Sequence, residues 1–188
     1  MYWLFKLYTK LKFKINLLLL KYENRYHIER IRSSGGIIGN DCKFGRNVKI
    51  SGYSKIRLGD NVHIGSGCYL KCEGGVTIGD NVILSRNITI YSRSHNYKGN
   101  FLPFDNSWII KPVEIQDNSW IGMNVNIPPG TTIGEGSIIG LGTSLFGKIE
   151  PLSIIGSRGY NLISKRTEEH YNRLKKEKKF CKENGEQY

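Results

Sequence analysis

Four histidines and four cysteines are the side chains best suited to acid–base, nucleophilic or metal chemistry: His27, His63, His95, His170, Cys42, Cys68, Cys72 and Cys181. The cysteines form no CxxC pair and no Cys/His pair at ligand spacing, so no metal is expected. Cys42 and Cys68 fall at a repeat position that takes small residues and read as packed thiols. Unpaired cysteines point to a reducing compartment, hence to the cytoplasm. His95 stands apart. It ends a run of regular repeats, and residues 96–112 interrupt the pattern before Val113 restarts it. Interruptions longer than about 12–15 residues in a compact domain are usually functional. An imidazole at the root of such a loop can accept a hydroxyl proton near neutral pH. The bland alternative for a lone histidine is a structural or surface role. His27 and His170 lie in basic terminal segments and are expected to be exposed. His63 closes a first hexad and His95 a third, so they belong to different corners.

The element that must position His95 follows from periodicity. Aliphatic residues (Phe44 once) recur every six positions: Ile38, Phe44, Ile50; Leu58, Ile64, Leu70; Ile78, Leu84, Ile90; then Ile115, Ile121, Ile127, Ile133, Ile139 and Leu145. Six-residue spacing would wander around a helix, but it fits short strands joined by tight turns. Three hexads close a triangular coil, and coils stack as parallel strands about 4.8 Å apart. The fifth hexad positions (Val48, Ser54, Val62, Val82, Val125, Thr131, Ser137, Thr143) are small or β-branched, as interior corners require. Turns such as Gly59-Asp60-Asn61 and Gly79-Asp80-Asn81 tolerate left-handed backbone. The pattern predicts a parallel β-helix of about five coils (38–55, 58–77, 78–95, 115–132, 133–150). Longer corners are expected at Ile56-Arg57 and Gly74-Gly75.

Of the net charge of +12, residues 1–32 hold +6 and residues 158–188 hold +4, leaving +2 on 33–157. A nucleic-acid binder would carry its basic stripe on the folded body, so nucleic acid is not an expected partner. No run of roughly 18 apolar residues suggests a membrane span, and no small-residue cleavage site follows Ile15–Leu20, so a secretory signal is not expected. Three segments are expected: an N-terminal basic helical segment (1–35), the β-helix (36–157, loop 96–112) and a C-terminal basic helical tail (158–188). Leu4, Leu7, Leu11, Ile15, Leu18 and Tyr22 recur on one helical face beside Lys6, Lys10, Lys14 and Lys21. That face either caps the open end of the β-helix or lies peripherally on an anionic membrane through residues 1–22. Glu168 and Glu169 followed by Arg173, Lys175 and Lys176 predict a solvated helix with charges matched to its dipole.

Specific motifs run from Val76 to Leu145: Val76-Thr77-Ile78-Gly79-Asp80-Asn81-Val82, Ser92-Arg93-Ser94-His95, Trp120-Ile121-Gly122, Ile127-Pro128-Pro129-Gly130-Thr131-Thr132-Ile133-Gly134 and Ile139-Gly140-Leu141-Gly142-Thr143-Ser144. This segment resembles the hexapeptide-repeat acyltransferases, in particular the galactoside, maltose and cell-surface polysaccharide O-acetyltransferases. The resemblance implies a left-handed β-helix, a homotrimer and acetyl-CoA bound between subunits. His95 matches the general base. Trp120, Gly122, Met123, Gly140, Leu141 and Gly142 match the lining of the thioester arm. Lys148, Arg158, Lys165 and Arg166 are candidates for the nucleotide phosphates. The chain departs from the family at Gly156-Ser157-Arg158-Gly159-Tyr160, where a Gly-x-Pro-Ala element usually closes the helix. It also departs near Gly67, where galactoside-type enzymes carry an acceptor asparagine. The related γ-class carbonic anhydrases bind zinc through three histidines, but the third position here is Asn100, so no metal is implied. The expected activity is acetyl transfer from acetyl-CoA to a sugar hydroxyl of a bacterial surface polysaccharide or its precursor. N-acetylation of a nucleotide-linked amino sugar and a non-catalytic scaffold are the alternatives.

Overall fold

The computed structural model describes residues 2–97, 104, 106–156, 161–165 and 167–178, the side chains of 161–164 excepted. The hexads become strands of two or three residues separated by tight turns, and equivalent strands pair in parallel to form three faces of a prism. The first face stacks Ile37–Ile38, Ile56–Leu58, Val76–Ile78, Val113–Ile115, Thr132–Ile133 and Lys148–Ile149. The second stacks Lys43–Phe44, His63–Ile64, Ile83–Leu84, Trp120–Ile121, Ile138–Ile139 and Ser153–Gly156, closed by the antiparallel strand Asn161–Lys165. The third stacks Lys49–Ser51, Tyr69–Lys71, Thr89–Tyr91 and Asn126–Ile127, with Ser144 bridged to Asn126.

The register gives coils of unequal length. Ile37 pairs with Arg57, Glu114 with Thr132, and Thr132 with Lys148, so early coils take 20 residues, a later one 18 and the last 16. The first extra pair of residues forms a 3-10 turn at Tyr53–Lys55, which carries Ser54 into solvent although its repeat position predicts burial. The last coil shortens between Leu145 and Ile149, both buried, so an incomplete sixth coil follows the expected five.

Inside the prism Ile64, Leu70, Leu84, Ile90, Ile121, Ile127 and Ile133 are essentially inaccessible. Burying each such side chain is worth about 1.5–3 kcal/mol. Thr131, Ser137 and Thr143 share this interior because their hydroxyls donate to the carbonyls of Pro128, Glu150 and Gly140 at 2.8, 3.2 and 2.7 Å. Cys42, Cys68 and Cys72 are buried thiols, and burial pushes Cys68 up to about 11 and Cys72 up to about 12. Neither is a thiolate nucleophile at neutral pH.

One corner shows why the turns read as they do. Asn61 and Asn81 take the left-handed conformation, with φ of 54° and 56°. The amide of Asn61 donates to Asn81 (3.0 Å) and that of Asn81 to Asn118 (3.2 Å), a ladder along the prism. Beside it, Asp80 Oδ1 accepts from the Asp60 N–H (2.7 Å) and Asp117 Oδ1 from the Asp80 N–H (2.9 Å). Gly59 is required by close approach rather than by a left-handed backbone, since a Cβ there would meet Asp80 Oδ1 at 2.1 Å. Asparagine therefore turns the chain, and glycine lets the next coil close.

The N-terminal helix α1 spans Tyr2–Ser33, longer than the repeat of apolar residues predicts. It holds no glycine or proline and stops at Gly35, which has φ of 84°. Its last third caps the first coil. Asn24 Oδ1 accepts the Phe44 N–H and Glu23 Oε2 the Asn47 N–H, both at 2.7 Å, and Arg46 donates to Asn16 at 2.9 Å. The first two bonds occupy backbone donors that an open edge would expose. His27, expected at the surface, is buried at 4% exposure, tilted against the Phe44 ring and 3.0 Å from the Tyr53 hydroxyl. At roughly 100° per residue, Asn16, Glu23, Asn24, His27 and Ile31 share the body-facing side. The stripe Leu4, Leu7, Leu11, Ile15, Leu18 and Tyr22 points the opposite way, each residue at least 47% exposed. Capping thus belongs to a different face of the helix from the one the sequence suggests.

Burial lowers the His27 pKa below its ordinary 6.5, outweighing Glu23 and a hydrogen bond with the Val48 backbone, which favour the charged form. The unfolded chain therefore takes up this proton first as pH falls, and stability drops below about pH 6.5. Melting temperature should decline between pH 7.5 and 5.5 more steeply in the native protein than in His27→Phe. Equal slopes would show that docking of α1 does not require a neutral imidazole.

The second helix α2, Glu168–Lys176, is less solvated than its charges suggest. Tyr171 is buried; its hydroxyl donates to Glu135 at 2.8 Å and accepts from Asn118 at 2.7 Å, while Lys175 pairs with the same carboxylate. Burial alone would raise the Glu135 pKa, but these partners outweigh it and hold the carboxyl below its usual range.

Candidate active site

His95 leaves the body at the corner between the third and first faces. There the chain departs as Arg93–His95, which pairs antiparallel with Trp108–Ile110 before Val113 rejoins the first face. The expected loop is therefore at its root a two-stranded hairpin projecting from the prism. His95 lies directly opposite Trp108, and Arg93 opposite Ile110. The imidazole ring stacks at 3.9 Å on Phe104 and lies at 4.2 Å, tilted by 34°, against Trp108. The Arg93 guanidinium lies 4.1 Å over Trp108 and pairs with Glu73 at 3.2 Å.

The residues expected along the thioester arm gather at the opposite edge of the third face, where it meets the second. Trp120 is half exposed on the second face, with its indole N–H donating to Ser85 Oγ at 3.2 Å. Gly122 and Met123 turn the corner on one coil, and Gly140, Leu141 and Gly142 turn it on the next. The Gly122 N–H donates to Ile139 O and the Gly142 N–H to Met123 O, both at 2.7 Å. A Cβ at Gly122 would lie 2.7 Å from the Leu141 nitrogen, so that glycine is needed to stack the coils. Gly142, at φ of 70°, faces open space. Met123 and Leu141 are 42% and 69% exposed, an apolar corner with no cover in the single chain.

Between the two edges runs a cleft of about 370 Å³ on the third face, lined by Thr89, Tyr91, Asn126, Pro128, Pro129 and Ser144 among others. Outward positions such as Tyr91, Asn126 and Ser144 carry no periodic signal, and only Pro128-Pro129 and Ser144 fall within a recognised motif. Among the described residues, no three His, Cys, Asp or Glu side chains are grouped to hold a metal ion.

The two phosphate candidates among the described residues stand on different faces. Lys148 stands on the first face and pairs with Glu150 at 3.3 Å. Lys165 is exposed on the last strand of the second face, three strands beyond Trp120. Arg158 and Arg166 lie outside the described residues.

Comparison with known proteins bears on this arrangement. The family model for the bacterial transferase hexapeptide (six repeats) matches residues 112–146, and that for the hexapeptide repeat of succinyl-transferase matches 37–72 and 55–92. Comparison with curated proteins gives no match. Among solved structures, a hexapeptide-repeat acetyltransferase from Vibrio cholerae, complexed with acetyl coenzyme A, is 26% identical, with 85% of each chain covered and a TM-score of 0.69. A maltose O-acetyltransferase from Clostridium difficile is 26% identical over 80% of this chain and 89% of its own, with a TM-score of 0.60. An N-acyltransferase from Bacillus cereus, with dTDP and 3-hydroxybutyryl-CoA, shares the fold at 20% identity, covering 80% and 95%, with a TM-score of 0.63. Hexapeptide-repeat models match on both sides of the hairpin and the same prism occurs in solved acetyltransferases, so this chain is a hexapeptide-repeat protein similar to the acyltransferases built on that fold.

Proposed function

We propose that the protein transfers an acetyl group from acetyl-CoA to a sugar hydroxyl of a bacterial surface polysaccharide or its precursor, with His95 as general base. The observation that carries this reading is the cleft on the third face, lined by Tyr91, Asn126, Pro128 and Ser144, on a face whose strands are entered from the Gly122 and Gly142 turns and left toward the His95 hairpin. The hydroxyl oxygen bonds to the thioester carbonyl carbon as the C–S bond breaks. Its proton passes to His95 and from there to the departing thiolate. Trp120, Gly122, Met123, Gly140, Leu141 and Gly142 would line the pantetheine, with Lys165 toward the phosphates.

The exposed apolar corner at Met123 and Leu141 supports a second copy covering it, and hence acetyl-CoA held between subunits of a trimer. Sedimentation should give a trimer, and thiol release from acetyl-CoA should depend on adding a sugar or oligosaccharide. A monomer of full activity would overturn the shared site. Transfer only to amino groups of nucleotide-linked sugars would favour the alternative, for which the fold of the Bacillus cereus N-acyltransferase speaks. The higher identity to the maltose O-acetyltransferase favours a hydroxyl.

The partner reading extends to α1. Residues 2–22 contain five lysines and no acidic residue, and their outward stripe suits an anionic membrane surface met from the cytoplasm. No helix among the described residues is long and apolar enough to cross a membrane.

A further inference from the structure

A general base is normally held in place by a hydrogen bond from its second nitrogen to a carboxylate or carbonyl. Among the described residues no such bond reaches either ring nitrogen of His95. What holds the ring is stacking. Phe104 lies at 3.9 Å with an interplanar angle of 21°, and Trp108 at 4.2 Å with 34°. Two rings this near and this close to parallel can occupy only opposite faces of the imidazole.

Trp108 is fixed in turn from the body. Its direct cross-strand partner is His95, and Arg93, on the same hairpin face, is its diagonal neighbour. The Arg93 guanidinium sits 4.1 Å over the indole, and Lys71 Nζ lies 5.4 Å from it. Glu73, from the turn after the second coil's third-face strand, holds Arg93 at 3.2 Å. Arg93 Nε and Glu73 Oε2 are buried and have no hydrogen-bond partner among the described residues. That pair therefore serves to set the guanidinium on the indole more than to complete a polar network.

We propose that Trp108, clamped by the Glu73–Arg93 pair, is the positioning residue that orients His95, with Phe104 closing the other face of the ring. The proposal rests on His95 being the base. Packing between the two rings fixes the plane of the imidazole, and among the described residues neither nitrogen is engaged, so one can take the hydroxyl proton and return it to the thiolate.

The test is acetyl transfer to the best acceptor in a panel of sugars and oligosaccharides, followed by thiol release, in His95→Ala, Trp108→Ala, Trp108→Phe and the His95→Ala/Trp108→Ala double variant. Trp108→Ala should lower kcat about 10–100-fold, since misplacement by 1 Å can cost that much. KM for acetyl-CoA and acceptor should stay within about two-fold, and Trp108→Phe, which keeps a flat ring, should recover most of the rate. In the His95→Ala background, removing Trp108 should cost nothing further, because its effect runs through the imidazole. An equal additional loss there would overturn the orienting role, as would a raised acceptor KM at unchanged kcat, which would make Trp108 a sugar platform. Full activity in Trp108→Ala alongside an inactive His95→Ala would remove the positioning role and leave the base. Full activity in His95→Ala would remove both.

Discussion

Replacing His95 with alanine should lower acetyl transfer by about 10²–10⁴-fold, the usual contribution of a general base. On the barrier this is roughly 3–5 kcal/mol. The fold should not share the loss. His95 is exposed, stands on a hairpin that projects from the prism, and contributes nothing to the buried columns of isoleucine and leucine. Circular dichroism, melting temperature and sedimentation should therefore match the native protein while thiol release falls. Binding of acetyl-CoA should persist, because the corner at Gly122, Gly140 and Gly142 lies across the third face. Turnover within a few-fold of normal in a well-folded variant would remove His95 from the mechanism and leave the cleft without an identified base.

What could be read from the sequence was what the repeat constrains. A side chain that returns every six residues must point inward on every coil, so Ile64, Leu84, Ile121 and Ile139 could be placed before any coordinates. Trp120 and Gly122 could be set beside Gly140 and Gly142 for the same reason, since 18 residues make one coil there. The phosphate candidate Lys148 could not be placed in this way, because the coil that carries it is two residues short and sets it opposite Thr132 on the first face. His27 misled because its neighbours in sequence are basic, whereas its burial comes from Phe44 and Tyr53, contacts made only when helix meets coil. Trp108 carries no signal in the sequence because the hairpin obeys no repeat, and its pairing with His95 is a matter of cross-strand register. Outward residues such as Tyr91 and Asn126 are free to vary under the hexad rule, and those positions line the cleft.

Deleting residues 1–22 should abolish binding to anionic vesicles while leaving the enzyme folded and active on a soluble acceptor. The structure separates two roles that the sequence left entangled. The bonds from Glu23 and Asn24 to the first coil, and the burial of His27 and Ile31, all lie beyond the cut, so the cap loses only the Arg46–Asn16 bond and melting temperature should fall only slightly. Removed with the segment are Trp3, Phe5, Tyr8, the outward leucines and Lys6, Lys10, Lys12, Lys14 and Lys21. At about 1 kcal/mol per lysine near an anionic surface, five lysines correspond to roughly 10³–10⁴-fold in vesicle partition. This electrostatic share should shrink from low to physiological salt as the Debye length shortens to about 8 Å. A second copy is the competing occupant of the stripe, but parallel packing of two such helices would bring lysines together with no carboxylate to offset them. Co-sedimentation with phosphatidylserine-containing and with neutral vesicles, beside sedimentation velocity of both proteins, separates the cases. Binding to anionic vesicles that disappears on deletion, with sedimentation otherwise unchanged, supports the membrane surface. A smaller assembly on deletion, with no vesicle binding by the full chain at low salt, would assign the stripe to subunit contact instead.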